Sequence, residues 1–161
     1  MERTSQRALP LVLIAIALAL VAARVTSHFM KAAPAAASVS TDELVRWVSL
    51  DEGRRIAAAS HKPILYNFTA EWCGPCHILD AEVYADPAMA REINARFVAV
   101  RVMDRQQEEG RNPEPVAELQ RRYTVRGFPT VIIAGADGAE LARMEGYRGR
   151  EGFARVMESV R

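Results

Sequence analysis

Apolar and polar positions along the chain follow two different periods, and together they predict an α/β domain. Short apolar runs that are typical of buried strands occur at 64–68, 97–102 and 131–133, and a fourth strand is expected at 140–144. The turn residues at 136–138 predict a hairpin between the last two strands. Because strands separated by helices pair in parallel, we expect a mixed central sheet of four to five strands with helices on both faces.

Helices are predicted between and around these strands. Residues 41–50 are expected to form the first helix, because Thr41 or Asp42 can cap it and an apolar stripe follows at Leu44, Trp47, Val48 and Leu50. Asp86-Pro87 is a typical helix start. The remaining helices are expected at 51–59, after Cys76, at 87–95, at 116–123 and from about 149 to 160, with a loop at 108–115.

The N-terminal 30 residues predict an export signal or a membrane anchor. A short, polar and net basic stretch is followed by an apolar run at 8–23, which is typical of export signals. The run is slightly shorter than the ~20 residues of a spanning helix. If it is retained, the segment 8–30 anchors the protein in a membrane. Residues 31–40 are rich in alanine and predict a linker, which leaves 41–161 as the folded domain.

Charge is unevenly distributed between the leader and the domain. The chain has 21 basic and 20 acidic residues, and four of the basic ones lie in the first 31 residues beside a single acid. The rest of the chain is therefore slightly acidic. Such a domain has no positive field that would attract nucleic acid, and we expect no nucleic-acid partner.

Both cysteines lie in the sequence Trp72-Cys73-Gly74-Pro75-Cys76-His77. A disulfide between residues this close removes little conformational entropy from the unfolded chain, so it would stabilise the fold only weakly. Three kinds of chemistry fit it: a redox dithiol, half of a metal site, or, with His77, covalent haem attachment. A zinc site needs about four ligands, and the chain has no second cluster of them. We expect neither a metal nor a cofactor.

The cysteines follow a predicted strand and open a predicted helix. Cys73 would then lie at a helix N-terminus, where free amide groups favour its thiolate, which is the attacking species. Cys76 lies three residues further on the same face and can resolve a mixed disulfide at Cys73. Gly74 lets a partner chain approach, and Pro75 suits a first helical turn. Trp72 is either a contact surface or an ordinary core residue.

Two motifs resemble those of thioredoxins. The segment from Tyr66 to Cys76 resembles their active-site strand and loop, and Gly127-Phe128-Pro129-Thr130 resembles their cis-proline loop. The segments 43–47 and 84–87 are more similar to the C-terminal domain of the disulfide-interchange protein DsbD and its relatives. The resemblance covers roughly 41–161 and implies the thioredoxin fold.

The resemblance implies a thiol–disulfide oxidoreductase that acts on protein substrates and is served by an upstream electron donor. Cys73 would be the nucleophile, Cys76 the resolving thiol and Pro129 a cis proline packed against the pair. Phe128 would contact substrate or belong to the core. Because the Gly74-Pro75 dipeptide resembles reducing members, we expect an exported reductase of the periplasm, either cleaved or anchored. An oxidase, an isomerase, a cytochrome c maturation reductase and a non-catalytic module remain alternatives.

The chain departs from thioredoxins at a buried charge pair. Thioredoxins usually have an aspartate where this chain has Asn67, and their lysine partner aligns near Val100. An amide cannot relay the proton of the resolving thiol. Glu71 is either a substitute base or a solvated loop acid, and His77 is expected on the exposed side of the helix, where its charge would tune Cys73.

Overall fold

The computed structural model of the protein describes residues 44–160. The predicted export segment at 1–30, the predicted linker at 31–40 and the first residues of the predicted domain lie outside this range. No helix between residues 44 and 160 has both the length and the apolar character that a membrane span requires.

Five strands and six α-helices make up the described part of the chain, with one π-helical turn between the second and third helices. In chain order they are β1 (Trp47–Val48), α1 (Leu50–Ser60), β2 (Ile64–Ala70), α2 (Gly74–Leu79), the π-helical turn (Asp80–Tyr84), α3 (Pro87–Arg96), β3 (Val98–Asp104), α4 (Gln106–Glu109), α5 (Glu114–Arg122), β4 (Thr130–Ala134), β5 (Glu140–Glu145) and α6 (Gly149–Glu158).

The strands form one mixed sheet in the order β1-β3-β2-β4-β5. β1, β3 and β2 run parallel, whereas β4 is antiparallel to both β2 and β5. Every residue of β2 is buried, as expected for a central strand that is covered on both faces. The expected mixed sheet is confirmed, with five strands.

Helices cover both faces of the sheet because its strand residues alternate between two apolar clusters. Leu65 faces one side and packs in a cluster with Leu79 of α2 and with residues of the π-helical turn, α3 and α6. Tyr66 faces the other side, in a cluster with Leu119 of α5 and a residue of α1. The helix that follows the cysteines is thus held against one face of the central strands.

The helix predicted over 41–50 is wrong in the part that is described. Trp47 and Val48 instead form β1, which pairs with β3 at the edge of the sheet. The side chain of Ser49 accepts a hydrogen bond from the backbone N–H of Glu52 at 3.3 Å and caps α1. The apolar spacing fits a helix stripe and an edge strand equally well, and the long-range pairing with β3 decides between them.

The other predicted helices are confirmed with small shifts at their ends. Asp86 caps α3 as expected, since its Oδ1 accepts hydrogen bonds from the N–H groups of Ala88 at 3.0 Å and Met89 at 2.9 Å. The loop predicted at 108–115 is too long, because α4 extends into its start and α5 begins at Glu114.

The π-helical turn directs Tyr84 into the core. The Tyr84 ring packs edge-on against Trp47, with ring centroids 4.9 Å apart, and against Phe153 at 5.7 Å. Its hydroxyl is buried and finds no hydrogen-bond partner within the described chain. Burial, followed by the charge of Asp80, raises the pKa of Tyr84 well above its ordinary value, so the hydroxyl stays neutral.

Replacing Tyr84 by phenylalanine should raise the free energy of unfolding by about 1 kcal/mol, because the change removes a buried hydroxyl that lacks a partner. Tyr123 is the matched control, since its hydroxyl donates to the Gly138 carbonyl at 3.0 Å. Tyr123→Phe should lower the free energy of unfolding by about 1 kcal/mol. Urea denaturation followed by circular dichroism measures both, and a destabilised Tyr84→Phe protein would contradict the prediction.

Candidate active site

The two cysteines lie at the junction where β2 passes into α2. The chain turns just after Ala70, and the N–H of Cys73 donates to the Ala70 carbonyl at 3.2 Å. Cys73 is the N-cap of α2, and Pro75 lies in the first turn of that helix, where a proline loses no helical hydrogen bond. The sequence prediction of a strand–loop–helix setting for the cysteines is thereby confirmed.

Cys73 and Cys76 form a disulfide with a Cα–Cα distance of 5.3 Å. The backbone N–H of Cys76 donates to the sulfur of Cys73 at 3.2 Å. An amide at a helix N-terminus that is directed at a sulfur atom stabilises negative charge on it. Among residues 44–160, no three His, Cys, Asp or Glu side chains are grouped so that they could hold a metal ion.

Both cysteines are covered by apolar side chains. Cys73 and Cys76 are each 2% exposed, and they form a small cluster with Ala70, against which Phe128 packs. Trp72 is 54% exposed and contacts Phe128 edge-to-face, with ring centroids 5.9 Å apart. Phe128 therefore covers the cysteine cluster, and the Trp72 ring lies against Phe128. The burial of Cys73 was not predictable from its position in the motif.

The loop before β4 brings Phe128 to the cysteines. The Phe128–Pro129 peptide bond is cis, Pro129 is buried and Phe128 is half-buried. The Pro129 carbonyl accepts a hydrogen bond from the N–H of Gly146 at 2.8 Å, and the Thr130 hydroxyl donates to the Gly127 carbonyl at 2.8 Å. These bonds fix the loop at the start of β4, the strand that pairs with β2. Gly74 and Pro75 are exposed at the start of α2.

His77 and Glu71 are brought together across the cysteine loop. The Nε2 atom of His77 lies 2.9 Å from the backbone carbonyl oxygen of Glu71. The Glu71 carboxylate is ion-paired with the guanidinium of Arg105. His77 is exposed, as the sequence predicts. The carboxylate of Glu71 is directed towards Arg105, which supports its interpretation as a loop acid rather than as a base for Cys76.

Comparison with known proteins identifies the family. The thioredoxin-like domain family matches residues 50–161, which is most of the chain. The chain belongs to the thioredoxin-like family. Its fold is the thioredoxin fold, and with the Cys73–Cys76 disulfide it is a thioredoxin-like thiol–disulfide oxidoreductase.

Relatives of the chain include thioredoxins and DsbD proteins. The structure of a thioredoxin from Thermus thermophilus is 32% identical, with a TM-score of 0.60, over 72% of this chain and 86% of that one. The reduced C-terminal domain of Neisseria meningitidis DsbD is 25% identical, with a TM-score of 0.54, over 70% of this chain and 94% of that one. The DsbD of Cronobacter sakazakii is 26% identical over 94% of this chain, which spans only 26% of that protein.

Asn67 marks the departure of this thioredoxin-like site from thioredoxins. It is 1% exposed, and its Oδ1 has no hydrogen-bond partner in the part of the chain that the structure describes. In the sheet register Asn67 lies opposite Arg101 of β3. Val100, the position at which the resemblance places a lysine, faces the other side of the sheet in the cluster that contains Tyr66. The cation nearest to Asn67 in register is therefore Arg101.

Sequence reasoning missed Arg101. Its guanidinium lies 3.3 Å from the carboxylate of Asp80 and 4.5 Å from the centre of the Trp47 ring. Asp80 lies one helical turn beyond Cys76, so this ion pair is on the same side of the sheet as the active-site helix. The signal was available in the sequence, since Arg101 is the one charged residue in the apolar run 97–102.

The segment that leads to Pro129 contains a strained residue. Thr124 has a φ of 51°, and the left-handed region costs an L-residue roughly 1–2 kcal/mol. Glycine avoids that strain but loses roughly 0.5–1 kcal/mol through backbone entropy. Thr124→Gly should therefore raise the free energy of unfolding by about 0.5–1 kcal/mol, as measured by urea denaturation.

Thr124→Ala is the matched control for this prediction because it removes the β-branch and keeps a Cβ. It should be less stable than Thr124→Gly. Equal stability of the two variants would show that the left-handed backbone imposes no cost at this position.

Proposed function

We propose that this oxidoreductase reduces disulfides of protein substrates in the periplasm. Cys73 acts as the nucleophile and Cys76 as the resolving thiol. The observation that carries the proposal is the 3.2 Å contact from the Cys76 N–H to the Cys73 sulfur at the start of α2. The same amide is available to a Cys73 thiolate once the disulfide is reduced.

The reaction follows from this arrangement. The Cys73 thiolate attacks one sulfur of a substrate disulfide, the substrate S–S bond breaks, and the other substrate sulfur leaves as a thiolate that takes up a proton. Cys76 then loses its proton and attacks the Cys73 sulfur in the mixed disulfide. The Cys73–Cys76 disulfide forms and the second substrate thiol is released. The substrate gains two electrons and two protons, and an upstream dithiol protein restores the reduced enzyme.

The substrate is held by the surface around the cysteines. Gly74 and Pro75 are exposed beside Cys73, and Trp72 and Phe128 form an aromatic wall next to it. An exposed Trp72 ring and a half-buried Phe128 ring near a reactive sulfur favour a polypeptide substrate, which can supply apolar side chains to them. The backbone beside Pro129 pairs with the substrate chain in this proposal.

The N-terminal segment and the similarity to DsbD support the proposal that the protein is exported. Residues 1–30 act as an export signal or as a membrane anchor, 31–40 as a linker, and 41–161 as the thioredoxin-like domain. The basic and then apolar pattern at 1–23 supports this division, and so does the similarity to DsbD of Cronobacter sakazakii over 94% of the chain. The slightly acidic domain has no nucleic-acid partner in this proposal.

The reducing direction rests on the Gly74-Pro75 dipeptide. Oxidase, isomerase and cytochrome c maturation functions use the same chemistry at a different potential or on a different substrate. Haem attachment at Cys73-Cys76-His77 is less well supported, because it gives no role to the aromatic wall or to the loop at Pro129. A non-catalytic module is disfavoured because both cysteines are present and paired.

The reduction potential distinguishes a reductase from an oxidase. Equilibration of the Cys73–Cys76 pair with glutathione should give a value nearer to about −270 mV than to about −120 mV, the potentials of a typical reductase and a strong oxidase. A Cys73→Ser, Cys76→Ser double variant is the control for signals from outside the dithiol. A strongly oxidising value would contradict the reductase proposal and support the oxidase.

Trapping tests whether the substrates are proteins. Cys76→Ser removes the resolving thiol, so the mixed disulfide at Cys73 should accumulate and be recovered from cells by non-reducing electrophoresis and mass spectrometry. Cys73→Ser is the matched control, because it keeps one buried thiol and lacks the nucleophile. Equal recovery with the two variants, or recovery of no protein, would contradict the proposed function.

A further inference from the structure

We propose that His77 is a positioning residue for Cys73. Its imidazole holds the backbone of Glu71, two residues before the nucleophile, and thereby fixes the loop that carries Trp72 and Cys73 against the start of α2. The inference rests on the proposed function in that Cys73 is the attacking thiol. It assigns to His77 a part in thiol–disulfide exchange that does not depend on haem or on a metal.

His77 contacts the cysteine loop at two points. Its side-chain Nε2 lies 2.9 Å from the Glu71 carbonyl oxygen, and its backbone N–H donates to the Cys73 carbonyl at 3.3 Å. A carbonyl oxygen only accepts hydrogen bonds, so Nε2 carries the hydrogen and the tautomer is set by this contact. The two contacts bracket Trp72 and Cys73, and they connect both residues to the active-site helix.

Glu71 is also held through its side chain. Its carboxylate pairs with Arg105, which follows β3. The backbone N–H of Arg105 donates to Asn112 Oδ1 at 2.6 Å, and Asn112 in turn donates to the buried carboxylate of Asp104. The side chain of Gln120 donates to this carboxylate as well, at 2.8 Å. Glu71 is thus fixed by its carbonyl to α2 and by its carboxylate to a hydrogen-bonded network beyond β3.

The position of this loop decides how Cys73 reacts. The sulfur of Cys73 accepts a hydrogen bond from the Cys76 N–H at 3.2 Å, and Phe128, whose ring contacts that of Trp72, packs against the cysteine cluster. Small displacements of a reacting group lower rates strongly. His77 is exposed and lies outside the apolar clusters, so its loss should affect the reactivity of Cys73 more than the stability of the fold.

Three variants test the proposal in the Cys76→Ser background, where Cys73 is the single thiol. His77→Leu removes the hydrogen bond to Glu71, and His77→Gln keeps a donor on a side chain of similar reach. His61→Gln is the control, because His61 is an exposed histidine at the other end of β2 from the cysteines. The readout is the rate of Cys73 alkylation by iodoacetamide across pH 5–9, with urea denaturation in parallel.

His77→Leu should slow alkylation at pH 7 about fivefold, the effect of one net hydrogen bond, and should move the pH profile upwards because the helix amides stabilise the thiolate less well. His77→Gln should recover most of the rate, and His61→Gln should match the parent. A wild-type profile for His77→Leu would overturn the proposal. So would a His77→Gln protein as slow as His77→Leu, since the hydrogen bond would then not be the cause.

A double-mutant cycle with Arg105→Gln tests the second anchor. If His77 and Arg105 act through the same residue, the alkylation rate of the double variant should differ from the rate expected by multiplying the two single-variant effects. Effects that multiply would be independent and would contradict a shared action on Glu71. Failure of the proposed function is a separate result. It would appear as a wild-type protein that reduces no protein disulfide, while Cys73 alkylation still responds to His77.

Discussion

Hydrogen bonding of β2 between β3 and β4 is the interaction on which the active site depends. β2 pairs with β3 from Ile64 to Ala70 and with β4 from Ile64 to Phe68. The cysteine loop starts where β2 ends, and the Pro129 loop leads directly into β4. Two segments that are far apart in the sequence therefore meet because their strands are neighbours, and any disturbance of β2 moves the disulfide relative to Phe128.

Much of this arrangement could be predicted from the sequence, because its strongest signals are local. The buried strands, the helix start at Asp86-Pro87 and the cysteines at the junction of a strand and a helix all follow from spacing and residue type. The thioredoxin fold followed from the resemblance of two motifs. What local patterns cannot supply is pairing over long distances. Trp47 and Val48 became a strand because the edge of β3 was available to them, and no feature of residues 41–50 reveals that edge.

The polar contacts around the site were the least predictable part. Arg101, Asp80 and Trp47 form a cluster only after the sheet register and the π-helical turn are in place. The partner of Glu71 likewise comes from a loop 34 residues further along the chain. Thioredoxins place a carboxylate where this protein has Asn67. In this protein the partly buried ion pair on that side of the sheet is instead formed by Asp80 and Arg101. The cysteine motif could be predicted from the sequence, whereas the charged residues around it could not.

The burial of the disulfide has a consequence for selectivity. Cys73 and Cys76 are each 2% exposed, and exchange requires the attacking sulfur to reach the bridge, so the apolar side chains that cover the pair must move before it reacts. A small thiol in the surrounding fluid has no side chains with which to displace the ring of Trp72 or Phe128. A protein partner does. In the proposed reductase, exchange with protein partners is therefore faster than exchange with small thiols such as glutathione, which reach equilibrium with the dithiol more slowly.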